Sequence, residues 1–252
     1  MDDKRDHHRR IISVLEAMDA DLLERTQCLF GGGTSIALRL NDFRMSADID
    51  FLCSSPEGYR ELRSMIPRFS ETGLSSLFQK PVRQLREARA DRYGIRSVLD
   101  VDGAPIKFEI VMEGRINLDA SFERFHGAPV LSMADSFAEK MLANSDRWGD
   151  RSIESRDILD LAAMVHTWGP IPLQSQMKVY AAYGSDPIDD LRKAAQFVLD
   201  QDAYRERCFE SLQIDSESQA WVTNALRHLG AGKGLEARNA SLHGHQNHRS
   251  PH

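Results

Sequence analysis

The residues best suited to chemistry lie in GGGTSIALRLNDFRMSADIDF, residues 31–51. If ADIDF is a strand running from Asp48 to Cys53, Asp48 and Asp50 point to one side and Ile49 and Phe51 to the apolar other. Two carboxylates side by side in a low-dielectric cleft repel each other unless a cation compensates them. Magnesium suits such a pair, because it prefers oxygen ligands and bridges carboxylates to nucleotide phosphates. An isolated DxD pair does no more than solvate many exposed strands, so the glycines ahead of it matter. They permit close backbone approach to a phosphate, and the N–H groups at the following helix start can face an anion. By itself GGGTS also reads as a flexible strand-to-helix turn with Thr34 as the helix cap. No GK[ST] follows and GxGxxG is not present, which excludes a Walker A loop and a dinucleotide fingerprint.

Glu109 offers a third acid. In PIKFEIV, Ile106, Phe108 and Ile110 share one strand face and leave Lys107 and Glu109 on the other. A sheet that sets this face beside Asp48 and Asp50 completes a carboxylate triad; otherwise Glu109 is a surface strand residue. Asp100 and Asp102 are poorer candidates, since Asp102 with Gly103 forms a hairpin turn. His126 and His166 stand alone and read as structural or exposed. Cys28, Cys53 and Cys208 have no CxxC spacing, so neither a disulfide framework nor a zinc site is expected.

These residues need elements to hold them. The period of Ile11, Val14, Leu15, Met18 and Leu22 predicts one amphipathic helix ending near Gln27. Cys28 to Phe30 reads as a strand, Thr34 as the start of a short helix, and Glu57 to about Phe69 as another. Positions 77 to 100 are ambiguous, while RSVLDVDGAPIKFEIV predicts a hairpin about Asp102-Gly103 and favours a mixed or antiparallel sheet. After about residue 129 the pattern turns helical: Ser132 caps a helix through Met141, Ile158 to Val165 form a second stripe, and further helices are expected near Val179, Leu191 to Leu199 and Trp221 to Leu229. The expected fold class is α+β, with a sheet-bearing lobe over 1–128, a helical lobe over 129–235 and a flexible tail over 236–252. With 252 residues, 41% of them hydrophobic, the chain can bury a sizeable core. Its net charge of -6 argues against indiscriminate wrapping of nucleic acid. No signal-peptide core or membrane-length apolar run occurs, so a cytoplasmic location is expected.

The order GGGTSIALRL, SADIDF, KFEI, AEKMLA and SRDILDLAAM, over roughly Leu29 to Met164, resembles the AbiEii/AbiGii toxin family of the DNA polymerase beta-like nucleotidyltransferases. The resemblance implies a minimal mixed-sheet nucleotidyltransferase lobe followed by helices, with nucleotide bound between them. It also implies that Gly33 and Thr34 form the phosphate turn, where Gly-Ser is more usual. Asp48 and Asp50 then match the metal-binding carboxylates, and Glu109 the third acid, where aspartate is common. Lys140 matches a lysine reaching toward nucleotide phosphates, and Arg156, Asp157 and Asp160 a helical motif that closes the site. The implied reaction is attack by an acceptor hydroxyl on the alpha-phosphate of an NTP, with magnesium, or manganese in its place, as cofactor and pyrophosphate leaving.

For the acceptor, residues 80–96, KPVRQLREARADRYGIR, carry six basic against two acidic side chains, a local charge of +4. Arg83, Arg86 and Arg89, at three-residue steps, would line a helix face, suited to RNA phosphate such as a tRNA 3' end or to a cognate antitoxin. Without the resemblance, these arginines read as a solvated face, Lys140 as a surface lysine, and Asp157 and Asp160 as an ordinary charged helix face. Two other functions stand beside RNA modification: nucleotidylation of a protein or small molecule, and a non-catalytic partner-binding protein that retains the fold.

Overall fold

Alternation of apolar and polar residues along six strands decides which side of one mixed sheet meets each half of the core. The structure is a computed structural model, and it describes residues 3–66 and 73–236. Helices α1 (Asp3–Leu15) and α2 (Ala20–Arg25) lead into strand β1 (Cys28–Phe30), helix α3 (Gly32–Arg39), strand β2 (Ile49–Cys53) and helix α4 (Pro56–Ser64). Strands β3 (Arg83–Gln84), β4 (Arg89–Ala90), β5 (Gly94–Val101) and β6 (Ala104–Met112) complete the sheet. Its order is β1-β2-β6-β5-β3, with β4 also paired to β5. All neighbours are antiparallel except β2 and β6, which run parallel.

The single helix expected from Ile11 to Gln27 is two. Asp19 takes an extended conformation and caps α2, its side chain accepting from the Leu22 N–H at 3.0 Å, because an Asp side chain satisfies an otherwise orphaned helix N–H. Met18 bridges to Phe78 at this break. The apolar period survives it, since Ile11, Val14, Leu15, Met18 and Leu22 all enter one core. The helix expected from Glu57 is α4, capped by Ser55; the part assigned to residues 67–69 lies outside the described residues. Asp102 and Gly103 both take positive φ, 52° and 77°, as a two-residue hairpin turn of the primed type requires.

Two cores pack against the two sheet faces. Ile49, Phe51, Phe108 and Ile110 join α1, α2 and α4 on one side. Leu29 and Leu52 belong to the other, which is built on the helices that follow. These are α5 (Met133–Arg147), α6 (Arg156–Trp168), α7 (Leu173–Tyr183), α8 (Asp186–Asp200), α9 (Asp202–Ser211) and α10 (Ser216–Gly230). Ser132 caps α5 by accepting from the Asp135 N–H at 3.0 Å. Helix α9 was not foreseen; it buries Tyr204, Cys208 and Phe209 without a sustained period. The three cysteines are free and buried. Among the described residues no helix is long and apolar enough to cross a membrane. The expected tail, apart from Glu236, lies outside them.

Candidate active site

The parallel register of β2 on β6 sets Asp50 opposite Glu109 and Leu52 opposite Val111. Because side chains alternate, the two acids stand together on the face turned away from Phe51, Phe108 and Ile110. Strand β2 begins at Ile49, so Asp48 is the residue entering it. Asp48, Asp50 and Glu109 line one cavity of about 330 Å³ with Gly31, Gly32, Gly33, Lys140 and Arg156.

The glycine turn is tight against the acids. Gly32 has a φ of +67°, and a Cβ there would lie 2.6 Å from Asp50 Oδ2. A Cβ on Gly33 would come 2.5 Å from Arg44 Nη2. Thr34 does not cap the helix: the cap residue is Gly31, and Thr34 is buried within the first turn of α3. Its hydroxyl donates to the Asp48 carbonyl at 2.5 Å and lies 2.8 Å from the Ser46 hydroxyl. Threonine therefore ties the glycine turn to the acid-bearing segment, and its hydroxyl is engaged inside the protein.

Charge is unevenly balanced around the acids. Burial, then the Asp48 and Glu109 carboxylates, push Asp50 up to about 6 against the pull of Lys107 and Lys140. Burial acts on Glu109 in the same sense but is outweighed by Lys107 and Arg96, which hold it below the ordinary range. Lys107 Nζ is 2.6 Å from Glu109 Oε2, and Arg96 Nε 2.7 Å from Oε1.

A buried ionic network holds the helical side. Lys140 Nζ lies 2.9 Å from Asp157 Oδ1 and 2.7 Å from Asp160 Oδ2. Despite burial, Lys140 and Arg147 hold the Asp157 carboxyl far below the usual range, with Arg147 Nε 2.6 Å from Oδ2. Arg44 grips Asp160 with two bonds, Nε to Oδ1 at 2.5 Å and Nη2 to Oδ2 at 2.8 Å. Lys140 lines the cavity, whereas Asp157 and Asp160 sit behind it. Arg156 opens α6 after two successive left-handed residues, Glu154 and Ser155, lines the cavity, and has no side-chain partner among the described residues.

Arg83, Arg86 and Arg89 do not share a helix face. Their segment forms the short strands β3 and β4, both paired to β5, since pairing to a long neighbouring strand outweighs a three-residue charge period. Arg83 pairs with Asp100 at 2.8 Å. Arg86 and Arg89 line a second cavity of about 760 Å³ with Arg96, Lys107 and Asp48. Asp48 and Lys107 line both cavities.

Sequence reasoning missed Arg44 and Arg147. Arg147 had a signal, lying seven residues after Lys140 and so near the same face of α5. Arg44 had none, because its partner Asp160 is remote in sequence.

A mixed sheet with paired aspartates beside a glycine turn, followed by a helical lobe, is the frame of a nucleotidyltransferase. The chain belongs to the AbiEii family: the family profile described as "Nucleotidyl transferase AbiEii toxin, Type IV TA system" matches residues 13–225. Among solved structures, one from H. pylori described as a putative nucleotidyltransferase shares the fold, with a TM-score of 0.51 at 12% identity over 92% of this chain and 97% of that one. The Megavirus polyadenylate synthase aligns at a TM-score of 0.23 and 12% identity over 77% of this chain and 32% of that one, too loosely to carry an argument. No curated protein sequence matches the chain.

Proposed function

We propose that this protein transfers a nucleoside monophosphate from an NTP to an acceptor hydroxyl, with the acids on β2 and β6 at the reacting end of the cavity. The observation that carries this reading is the Asp50–Glu109 register beside Asp48 and the glycine turn. Carboxylate oxygens are the donors a hard divalent cation takes, and Asp50, raised first by burial and then by the Asp48 and Glu109 carboxylates, is a group whose charged form a cation would favour. Asp48 and Asp50 fit that role. Glu109 fits less directly, since both its oxygens are held by Arg96 and Lys107. Among the described residues no three acidic, histidine or cysteine side chains stand in a metal-holding group. Asp48 and Asp50 would hold magnesium or manganese, which when bound would neutralise charge at the phosphates and ease deprotonation of the acceptor hydroxyl.

The chain's own groups do the positioning. Gly31 donates its N–H to the Asp50 carbonyl at 2.9 Å, which leaves the N–H groups of Gly32 and Gly33, in the first turn of α3, to meet a phosphate, and Arg156, without a partner among the described residues, is free to hold one. Lys140 adds positive charge from a position fixed by Asp157 and Asp160. Glu109, kept ionised by Lys107 and Arg96, orients the acceptor hydroxyl by accepting its hydrogen. A new bond forms from the acceptor oxygen to the alpha-phosphorus, the bond to the bridging oxygen breaks, pyrophosphate departs, and the hydroxyl proton passes by way of Glu109 to solvent.

RNA, a tRNA 3' end above all, is the acceptor we favour. Arg86 and Arg89 have no ion-pair partner among the described residues and line a cavity that meets the first at Asp48 and Lys107. Phosphate contacts of this kind position nucleic acid without reading its sequence. A cognate antitoxin follows as a partner from the family. The test is to incubate the protein with magnesium, each alpha-labelled NTP and separate RNA, protein and small-molecule pools. Label on RNA supports the reading; label confined to protein or small molecules overturns the RNA acceptor, and no label in any pool overturns nucleotidyl transfer.

A further inference from the structure

The first cavity changes character along its length. Lys107, Glu109, Val111 and Glu113 follow one another at two-residue steps along β6 and its continuation, about 6.6 Å apart, and all four line it. Beside Glu109 stand Asp50 and the glycine turn. Beside Val111 stands Leu52, which with Leu131 fills the space a Cβ on Gly31 would need. Glu113, Arg115 and Glu139 add a polar wall. Charged end, apolar strip and polar wall match the parts of a nucleoside triphosphate: phosphates, the flat face of the base, and its polar edge.

The wall's hydrogen-bonding capacity is one-sided. Arg115 donates to Glu113 (Nη2, 2.7 Å; Nε, 3.1 Å), to Glu139 Oε2 (Nη2, 3.1 Å) and to Asp146 (Nη1, 2.9 Å). Its donors are therefore largely engaged. Glu139 Oε1 is buried without a hydrogen-bond partner. Burial and the neighbouring Glu113 carboxylate push Glu139 up to about 8, as expected of a carboxyl short of donors. Contact with the Glu113 carboxyl is part of what raises Glu139, so a proton there is shared inside the carboxyl pair, and what the pair offers a base is lone pairs.

We propose that Glu139, fixed by Arg115 beside Glu113, selects the nucleotide's base by accepting a hydrogen bond from an exocyclic amino group. Cytosine, adenine or guanine satisfies that carboxyl; a carbonyl in the same place, as in uracil, sets oxygen against oxygen. This selectivity rests on the nucleotide-site reading above.

The test is equilibrium binding of paired nucleotides to the full chain with magnesium: CTP against UTP, ATP against ITP, and GTP against XTP. The wild type is expected to bind at least one amino nucleotide about tenfold or more tightly than its keto counterpart, because an unmatched buried polar group is costly. Glu139→Gln keeps the volume but presents an amide donor, and should shrink that ratio to about twofold or invert it, with inorganic triphosphate binding unchanged. Glu139→Ala, checked by its unfolding midpoint, should abolish the preference as well. Wild-type ratios all within about twofold, or a ratio unmoved in the folded variants, overturn the proposal while leaving the nucleotide site standing. Failure of every nucleotide to bind folded wild-type protein overturns the site itself, and the base selection with it.

Discussion

Asp160→Asn should destabilise the protein through two buried cations at once. In the native chain the Arg44 and Asp160 side chains are 2% and 0% exposed, joined by two hydrogen bonds, and Lys140 adds a third contact to the same carboxylate. The amide keeps an acceptor but removes the charge, leaving Arg44, Lys140 and Arg147 to share Asp157 alone. Breaking a buried pair from one side costs about 3–5 kcal/mol, and the retained acceptor places this change near 3. For a chain of this size the melting temperature should fall by about 6–12 °C. Urea unfolding of wild type, Asp160→Asn, Arg44→Met and the double variant gives the coupling directly, expected at about 2 kcal/mol or more. Arg44 Nη2 also packs where a Gly33 Cβ would lie, so nucleotide affinity should fall with stability. A loss under about 1 kcal/mol, or strictly additive single changes, would refute the network as described.

Asp50→Asn should stabilise the cation-free protein at neutral pH. The Asp50 carboxyl rises from 3.8 to about 6 in the fold, an upper limit of about 3 kcal/mol. The native state holds the extra proton between those values, so wild-type stability falls as pH rises through that window and stays lower above it. In EDTA the variant's advantage should grow from pH 4 to 7; a gap constant over that range contradicts the assignment. Gly32→Ala and Gly103→Ala both force alanine into positive φ, at about 1–2 kcal/mol each, yet only the first drives a Cβ against Asp50. Nucleotide transfer should fall about tenfold or more for Gly32→Ala and stay within about twofold for Gly103→Ala, and equal losses would separate the turn from the acids.

Local patterns in the sequence expose the parts of the site but not their assembly. The alternation in ADIDF and PIKFEIV is enough to place Asp50 and Glu109 on polar strand faces, and Asp102-Gly103 is enough to join β5 to β6. That β2 lies parallel to β6 in the register bringing those acids together depends on core packing of Phe51, Phe108 and Ile110, which no local period encodes. The three-residue arginine period imitated a helix because a short edge strand has little pattern of its own. Thr34 was readable as a hydroxyl at a phosphate turn, whereas its engagement with Ser46 and Asp48 follows from the chain folding back across α3. Lys140 and Asp157 were legible as a motif; the pairing that fixes them, with Arg44 behind, was not.

The most direct test of the account is transfer from alpha-labelled NTP to RNA by wild type, Asp48→Asn and Asp50→Asn, with unfolding midpoints measured on the same preparations. The account predicts magnesium-dependent labelling by the wild type, a loss of about a hundredfold or more in each variant, and folded variants throughout. Near-wild-type labelling by either folded variant, or labelling that persists in EDTA, would contradict it.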